Sequence, residues 1–362
     1  MTVKRKDVIS TYCLDSGYGW DPISKSRLEI TEKMQIYVEP TQYDMNEMDD
    51  FLYSNYLINY SEKKNLEDLF RAYQSPAKRN TYINDQSLAA LYMIARGRSI
   101  MGVMEKIIRE HLDVFHEVGS VVDFGGGPGT FLFALSKFKT VNKYTNVERS
   151  DVFIGILNVL VEEFLSSSIP HTHVDSISCN YLKLESQDIP TNDLCVFSYT
   201  FCECDNSLVR LPGLVENSNR VLIIEPGTPS GFNNIIQARD KLIEKGFSTI
   251  APCTVSNGFC PLRDSESDWC HFVERVDRSR IQRHLKNGVL GYEYEKYSYL
   301  LMSKYPIHSD GKRIISRPNN TKHSVSFDIC SEKESHIVVT KRENKNRFKI
   351  VKKSIRGDLY SE

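Results

Sequence analysis

Apolar residues recur at helical spacing through the first third of the chain. "SEKKNLEDLFRAYQ" (61–74) and "DQSLAALYMIARGRSIMGVMEKIIREHLDVFHEV" (85–118) place them three and four apart with few breakers, so the spacing predicts a mostly helical region up to about residue 115. The period then changes. "SVVDF" is a short apolar run stopped by glycines, as a buried parallel strand would be, and "TFLFALSKF" after it is helical. "KYTNVE" predicts a strand and "DVFIGILNVLVEEFLSS" a helix. "DLCVFSYTF" and "RVLIIEP" predict two more buried strands, with a helix over "NNIIQARDKLIEKG". "FSTIAPC" reads as a further strand and "KYSYLLMSK" as the last one. Strands alternating with helices imply a doubly wound α/β domain over 116–305, interrupted at about 251–295 by an insertion. Beyond it, "SVSFDIC", "SHIVVTKR" and "RFKIVKKS" alternate or are β-branched, which predicts a small β module over 306–362.

Length and composition narrow the class. The 362 residues call for more than one structural unit, and 40% hydrophobic with 26% charged residues is the balance of a soluble globular protein. No run of about eighteen apolar residues is present, so no membrane partner is expected. The first twenty residues lack the apolar core of a signal peptide, and Asp7 and Asp15 interrupt the basic "KRK" start, so a cytosolic or organelle-matrix protein is expected. In such a compartment nine cysteines point to metal binding, chemistry or burial rather than disulfides.

Net charge is −1, but its distribution is uneven. From Lys304 to Arg356 there are fourteen Lys or Arg and five Asp or Glu, a local +9 against −10 for the remainder. A basic C-terminal module suits contact with phosphates, while a plain solvated surface stays open as the alternative.

"VVDFGGGPGTFLFAL" carries the strongest local motif. Asp123, Gly125, Gly127 and Gly129 form an acid-x-Gly-x-Gly-x-Gly pattern between a strand and a helix, where glycines let the backbone approach a ligand closely. Glu148 ends the next strand, in place to accept hydrogen bonds from ribose hydroxyls. The acid before the loop and Pro128 within it suit S-adenosylmethionine better than a dinucleotide, since there is no pyrophosphate to neutralise and an acid can hold the amino acid end. No catalytic motif is recognisable: where amino-group methyltransferases carry Asn/Asp-Pro-Pro-aromatic, this chain reads "YTFCECDNS". Cys202 and Cys204 there read as packed thiols, because nothing nearby favours a thiolate. "APC" at Cys253 follows a further helix, which argues against the Pro-Cys nucleophile of cytosine-C5 methyltransferases.

"DFGGGPGT", "EPGTPSGF", "APC…CPL…DWCHF", "YEYEKYSYLLMSK" and "KKSIRGDLY" occur in this order. Together they resemble the methyltransferase-like assembly proteins of the small ribosomal subunit, found in mitochondria and some bacteria. The resemblance covers about residue 65 to the C-terminus. It implies a class I methyltransferase-like Rossmann domain with an N-terminal helical region, a cysteine-bearing insertion and a small C-terminal β domain. It implies that Cys253, Cys260, Cys270 and Cys330 hold a 4Fe-4S cluster. The first loop, "CTVSNGFC", departs from the family's Pro-His after the first cysteine and is slightly longer. Four thiols by themselves also admit zinc, with His271 as another zinc donor, although no Cys-x-x-Cys knuckle is present. The implied partners are small-subunit ribosomal RNA and ribosomal proteins. The implied location is the mitochondrial matrix, or the cytoplasm of a bacterium. The implied role is assembly, with active RNA methylation as the alternative reading. "EPGTPSGF" is expected to form a tight rim loop lining the cofactor pocket, with a plain chain turn as the other reading.

Overall fold

A computed structural model describes residues 43–57, 68, 83–203, 207–254, 260–305, 311–330 and 335–360. Apart from Asp68, the predicted helix at 61–74 lies outside the described residues, as does Cys204.

The first described helix, α1 (Met45–Leu52), is capped by Asp44, whose carboxylate accepts from the Asn46 amide. The helical pattern from residue 85 forms α2 (Gln86–Tyr92), capped by Asp85, and α3 (Arg98–Glu110), joined by one π turn that keeps helical dihedrals. A short α4 (Leu112–His116) follows. The α/β domain follows: β1 (Ser120–Phe124), α5 (Thr130–Ser136), β2 (Lys143–Glu148), α6 (Asp151–Leu160), β3 (His173–Ser178), β4 (Asn192–Ser198), α7 (Ser207–Leu214), β5 (Ser218–Pro226), α8 (Pro229–Glu244), β6 (Ser248–Ala251), β7 (Phe272–Asp277), α9 (Arg280–Leu285) and β8 (Tyr292–Ser303), of which β3, α7, β7 and α9 add to the elements expected from the sequence.

The main sheet runs β3-β2-β1-β4-β5-β8-β6. Strands β1 to β5 pair in parallel, and β8 is antiparallel to β5, β6 and β7. That order, with its one reversed strand between the fifth and sixth, is the class I methyltransferase arrangement. Its strands are apolar on both faces. On β4, Leu194 and Val196 join the core under the N-terminal helices, while Cys195 and Phe197 join the core on the opposite face.

The C-terminal residues form a second, five-stranded sheet from β9 (Lys312–Ile314), β10 (Asn319–Asn320), β11 (Ser324–Cys330), β12 (Ser335–Thr340) and β13 (Leu359–Tyr360). "RFKIVKKS" is no strand. It forms α10 (Lys345–Val351), because Asn344 caps the Arg347 amide at 2.9 Å and Phe348 and Val351 bury one helical side. Ile350, which strand alternation would pair with Phe348, is 71% exposed.

Candidate functional site

The glycine loop turns sharply after β1. The Gly125 amide donates to Val147 of β2, and the Gly129 amide closes back on Gly126 at 2.9 Å. Gly125, Gly127 and Gly129 all take positive φ, a conformation in which a side chain is strained. They do different work. Gly129 caps α5 and leaves only 2.4 Å between a would-be Cβ and Leu157, whereas nothing lies within 4 Å of such an atom at Gly127. Gly127 therefore opens onto free space, and Gly129 serves packing.

That space is a cavity of about 110 Å³ lined by Asp123, Gly125, Gly127 and Glu148 among others, but not by Gly129. The Glu148 carboxylate accepts from the Gly127 amide at 3.1 Å and the Ser150 amide at 2.8 Å, so it ties the loop to the start of α6. Burial holds its pKa above the usual carboxylate range. Asp123 is 1% exposed. One of its oxygens accepts from the Tyr144 hydroxyl, and the other, Oδ1, has no hydrogen-bond partner among the described residues. Burial pushes Asp123 up to about 7, and the neighbouring Glu148 adds to the rise against the Tyr144 hydrogen bond. A half-satisfied buried carboxyl beside an open glycine is a fit for a cationic ammonium group, as S-adenosylmethionine would present.

Several pocket residues were not singled out from sequence. Asn146 sits wholly buried on β2, beside Asp123 on β1, and donates to the Gly127 carbonyl at 3.1 Å. The one sequence signal was an amide inside the predicted strand "KYTNVE". Ser198 ends β4 and Tyr199 and Thr200 follow it, at the edge where ligands bind in such sheets, and their buried hydroxyls have no hydrogen-bond partner among the described residues. Tyr199 holds a φ of 57°, which is uncommon outside glycine.

"EPGTPSGF" does not line this cavity. Glu225 accepts from the Phe201 amide and from Asn234, and burial raises it to about 8. Thr228 caps α8 by accepting from the Gly231 amide, and Pro229 opens the helix. A Cβ at Gly231 would lie 2.0 Å from the Pro226 carbonyl oxygen. The loop instead receives the cysteine segment: the Trp269 indole donates to the Gly227 carbonyl at 3.0 Å.

Cys253 follows β6, Cys260 lies in a turn, Cys270 precedes β7, and Cys330 ends β11 in the second sheet. All four are free thiols, and all four line one small cavity of about 30 Å³ with Phe232, Ile236, Leu262 and Ile315. Among the described residues no three or more His, Cys, Asp or Glu close to the spacing that one metal ion requires. His271 turns its Nδ1 to the Trp269 carbonyl at 2.9 Å. Burial first, and mutual repulsion second, push Cys330 up to about 12 and hold Cys260 and Cys270 above the ordinary thiol range. The donor set is chemically suited to an iron–sulfur cluster: four soft ligands in an apolar wall that become thiolates only when a cation replaces their protons.

A third feature is a surface groove of about 990 Å³ lined by Lys341, Lys345, Lys349, Lys352, Lys353 and Arg313, with Glu110 and Asp358 as its acids. No helix among the described residues is long and apolar enough to cross a membrane.

No curated protein sequence matches this chain. Among solved structures, a SAM dependent methyltransferase from Aquifex aeolicus is similar over 60% of this chain and 98% of its own, at 16% identity and a TM-score of 0.37. Magnesium protoporphyrin IX methyltransferase from Synechocystis PCC 6803 aligns with 71% of this chain and 100% of its own, at 10% identity and a TM-score of 0.38. TYW2 from M. jannaschii aligns with 59% of this chain and 78% of its own, at 12% identity and a TM-score of 0.33. Such scores carry no functional argument, and the fold assignment rests on the strand order. The family model described as "Mitochondrial small ribosomal subunit Rsm22" matches residues 86–361, and the chain belongs to that family.

Proposed function

We propose that this protein is an assembly factor of the small ribosomal subunit, acting in the mitochondrial matrix and binding the subunit's ribosomal RNA and proteins. In this reading the β1–β2 pocket holds S-adenosylmethionine. Asp123 faces the amino acid end, Gly125 and Gly127 admit the ligand, Gly129 shapes the loop, and Glu148 takes the ribose hydroxyls. Cys253, Cys260, Cys270 and Cys330 hold a 4Fe-4S cluster. The observation that carries the reading is the meeting of three thiols from the main domain with one from the end of β11 on a single apolar cavity. A centre bound there joins the basic module to the methyltransferase-like sheet, and its binding energy becomes folding energy. The lysine groove on that module supports contact with an RNA backbone.

The residues explain the division of labour. Bound adenosylmethionine supplies an electrophilic methyl group. The stretch after β4 reads "YTFCECDNS" where amino-group methyltransferases carry Asn/Asp-Pro-Pro-aromatic, which favours a ligand held for shape over one consumed; Ser198, Tyr199 and Thr200 offer hydroxyls there instead. Those same unpartnered hydroxyls support the second reading, an active ribosomal RNA methyltransferase, because an acceptor base could satisfy them.

The test replaces the chain in cells with an Asp123→Ala, Gly127→Arg variant and follows both small-subunit assembly and the modification pattern of its RNA. Assembly intact with adenosylmethionine binding lost supports the scaffold reading. Disappearance of one methylated nucleotide establishes the second reading in its place. Crosslinking that places no ribosomal RNA on residues 341–353 sinks the proposed RNA contact.

A further inference from the structure

The ribbon formed by β7 and the first half of β8 reverses the usual distribution of side chains on a sheet with one wet face. Glu274, Glu293 and Glu295 share its inner face, and each is held by cations: Glu274 by Lys106 at 3.8 Å, Glu293 by Arg278 and Lys286 at 2.9 and 3.0 Å, and Glu295 by Arg96 at 3.0 Å. The opposite face carries Val273, Arg275 and Asp277 from β7 and Tyr292, Tyr294 and Lys296 from β8. They pair in register as Val273 with Lys296, Arg275 with Tyr294 and Asp277 with Tyr292. Tyr294 is 62% exposed and Val273 39% exposed, and Arg275 and Lys296 are exposed beside them. The Arg275 guanidinium lies over the Tyr292 ring at 3.8 Å from its centroid, and the Tyr294 ring stands edge-on to Tyr292 at 5.5 Å. β5 pairs with β8 only from Tyr297, opposite Pro226, so residues 292–296 run past the carboxyl end of β5. Tyr294 stands about 10 Å beyond that end. The same carboxyl edge carries Ser198, Tyr199 and Thr200 and the glycine-loop pocket.

A sheet with one wet face normally buries apolar residues and turns charge outward. Here three carboxylates are drawn away from water at a desolvation cost, while a tyrosine and a valine stay in it. Folding gains little from that exchange, but a ligand that stacks gains from it. Aromatic rings and a guanidinium plane take the face of an unstacked base, and such stacking tolerates any base. With the glutamates turned inward, two cations and one carboxylate, Asp277, remain on the outer face, a balance that admits a phosphate backbone. Resting on the ribosomal RNA reading above, we propose that the outer face of the β7–β8 ribbon is a stacking platform for single-stranded RNA. Tyr294 and Arg275 each take a base, and Lys296 takes a phosphate. The lysine groove of the C-terminal module grips backbone whether or not it is paired. The ribbon selects unpaired nucleotides and holds them above the edge that carries the pocket.

The experiment titrates full-length protein into a fluorescein-labelled oligouridylate of about twelve nucleotides, and into an RNA duplex of the same length, by fluorescence anisotropy over a salt series. The unmodified chain is expected to bind the strand. Tyr294→Ala and Arg275→Ala should each weaken that binding about tenfold and change duplex binding little. Tyr294→Ala should do so with the slope of log affinity against log salt unchanged, and Tyr294→Phe should match the unmodified chain, since stacking needs the ring and not the hydroxyl. Lys296→Ala should lower the slope by about 0.7. A chain that binds neither strand nor duplex overturns the RNA reading and the platform together. A chain that binds the duplex alone, or binds the strand with Tyr294→Ala and Arg275→Ala unchanged, overturns the platform and leaves the lysine groove as the RNA contact. Variants that keep their RNA affinity but lose a ribosomal protein from isolated small subunits make the ribbon a protein contact and overturn the platform as well. Where an Ala variant does not fold, ultraviolet crosslinking of a thiouridine-containing strand to the unmodified chain decides. Crosslinks on residues 273–275 or 292–296 uphold the platform, and their absence overturns it.

Discussion

Asp123→Asn separates the stability of the pocket from its use. Burial raises Asp123 from 3.8 to about 7, so the folded state holds a proton that the unfolded chain releases at much lower pH. A carboxyl with a raised folded pKa contributes most below its unfolded value, and that contribution is lost as pH rises through the folded one. The shift is about three units, or about 4 kcal/mol of differential stability once the group is ionised. Between pH 5 and pH 8 the part at stake is about 3 kcal/mol by the same linkage. Asn removes the charge at almost equal volume and can still accept from Tyr144, although its buried amide has its own desolvation cost of about 1–3 kcal/mol. The variant is therefore expected to be more stable than the unmodified chain at pH 8 by about 1–2 kcal/mol, and equal to it or weaker at pH 5. Urea unfolding at both values reads the difference directly. Isothermal titration at pH 8 should show adenosylmethionine binding weakened at least tenfold, because the neutral amide no longer pairs with an ammonium. A variant that is less stable at pH 8, with a difference curve flat in pH, refutes the claim that a charged, half-satisfied carboxyl is held there for a ligand.

Gly126→Ala puts a Cβ 2.3 Å from the Asn146 amide oxygen and 2.6 Å from Asp123 Oδ2, so it should cost about 2 kcal/mol by overpacking and empty the ligand site; thermal melting and ligand titration check it. Cys330→Ser should lower the melting temperature of metal-loaded protein but change the metal-free chain far less, since Cys330 would act through the bound centre; parallel melts with and without chelator decide this. Replacing Lys345, Lys349 and Lys352 together by Ala should weaken ribosomal RNA binding and reduce the slope of log affinity against log salt by about two, as measured by fluorescence anisotropy over a salt series.

Most of the main sheet was legible because its strands are buried on both faces and read as unbroken apolar runs between glycines and helices. The glycine loop was legible because positive φ leaves few choices of residue. α10 was misread because "FKIV" satisfies a strand template over four residues, and only Asn344 before it and the exposure of Ile350 distinguish a helix. β7 hid in "HFVERVD", where alternation spans six residues beside a polar loop. The partner of "EPGTPSGF" was out of reach, because the Trp269 indole that docks on Gly227 lies 42 residues away in the chain. Arg239 and Arg313, which line the four-thiol cavity, were invisible for a related reason. A single cation in an amphipathic segment looks like surface until tertiary packing folds the thiols around it.

β6 and β7 lie end to end along one edge of β8, with Ala251 paired to Leu301 and Phe272 paired to Tyr297. The stretch that carries three cysteines thus starts and finishes on the same strand, clamped by main-chain hydrogen bonds. Closing a free loop of about twenty residues costs about 3 kcal/mol of chain entropy, and here the sheet has already met that cost. A ligand arriving at these thiols has only the loop interior to organise. Departure of that ligand would leave the strand ends registered and the sheet closed, while releasing the tether to Cys330. The C-terminal module would still be joined to this stretch, because Arg356 donates to Asp268 and to the Trp269 carbonyl and Arg313 donates to the Pro252 carbonyl.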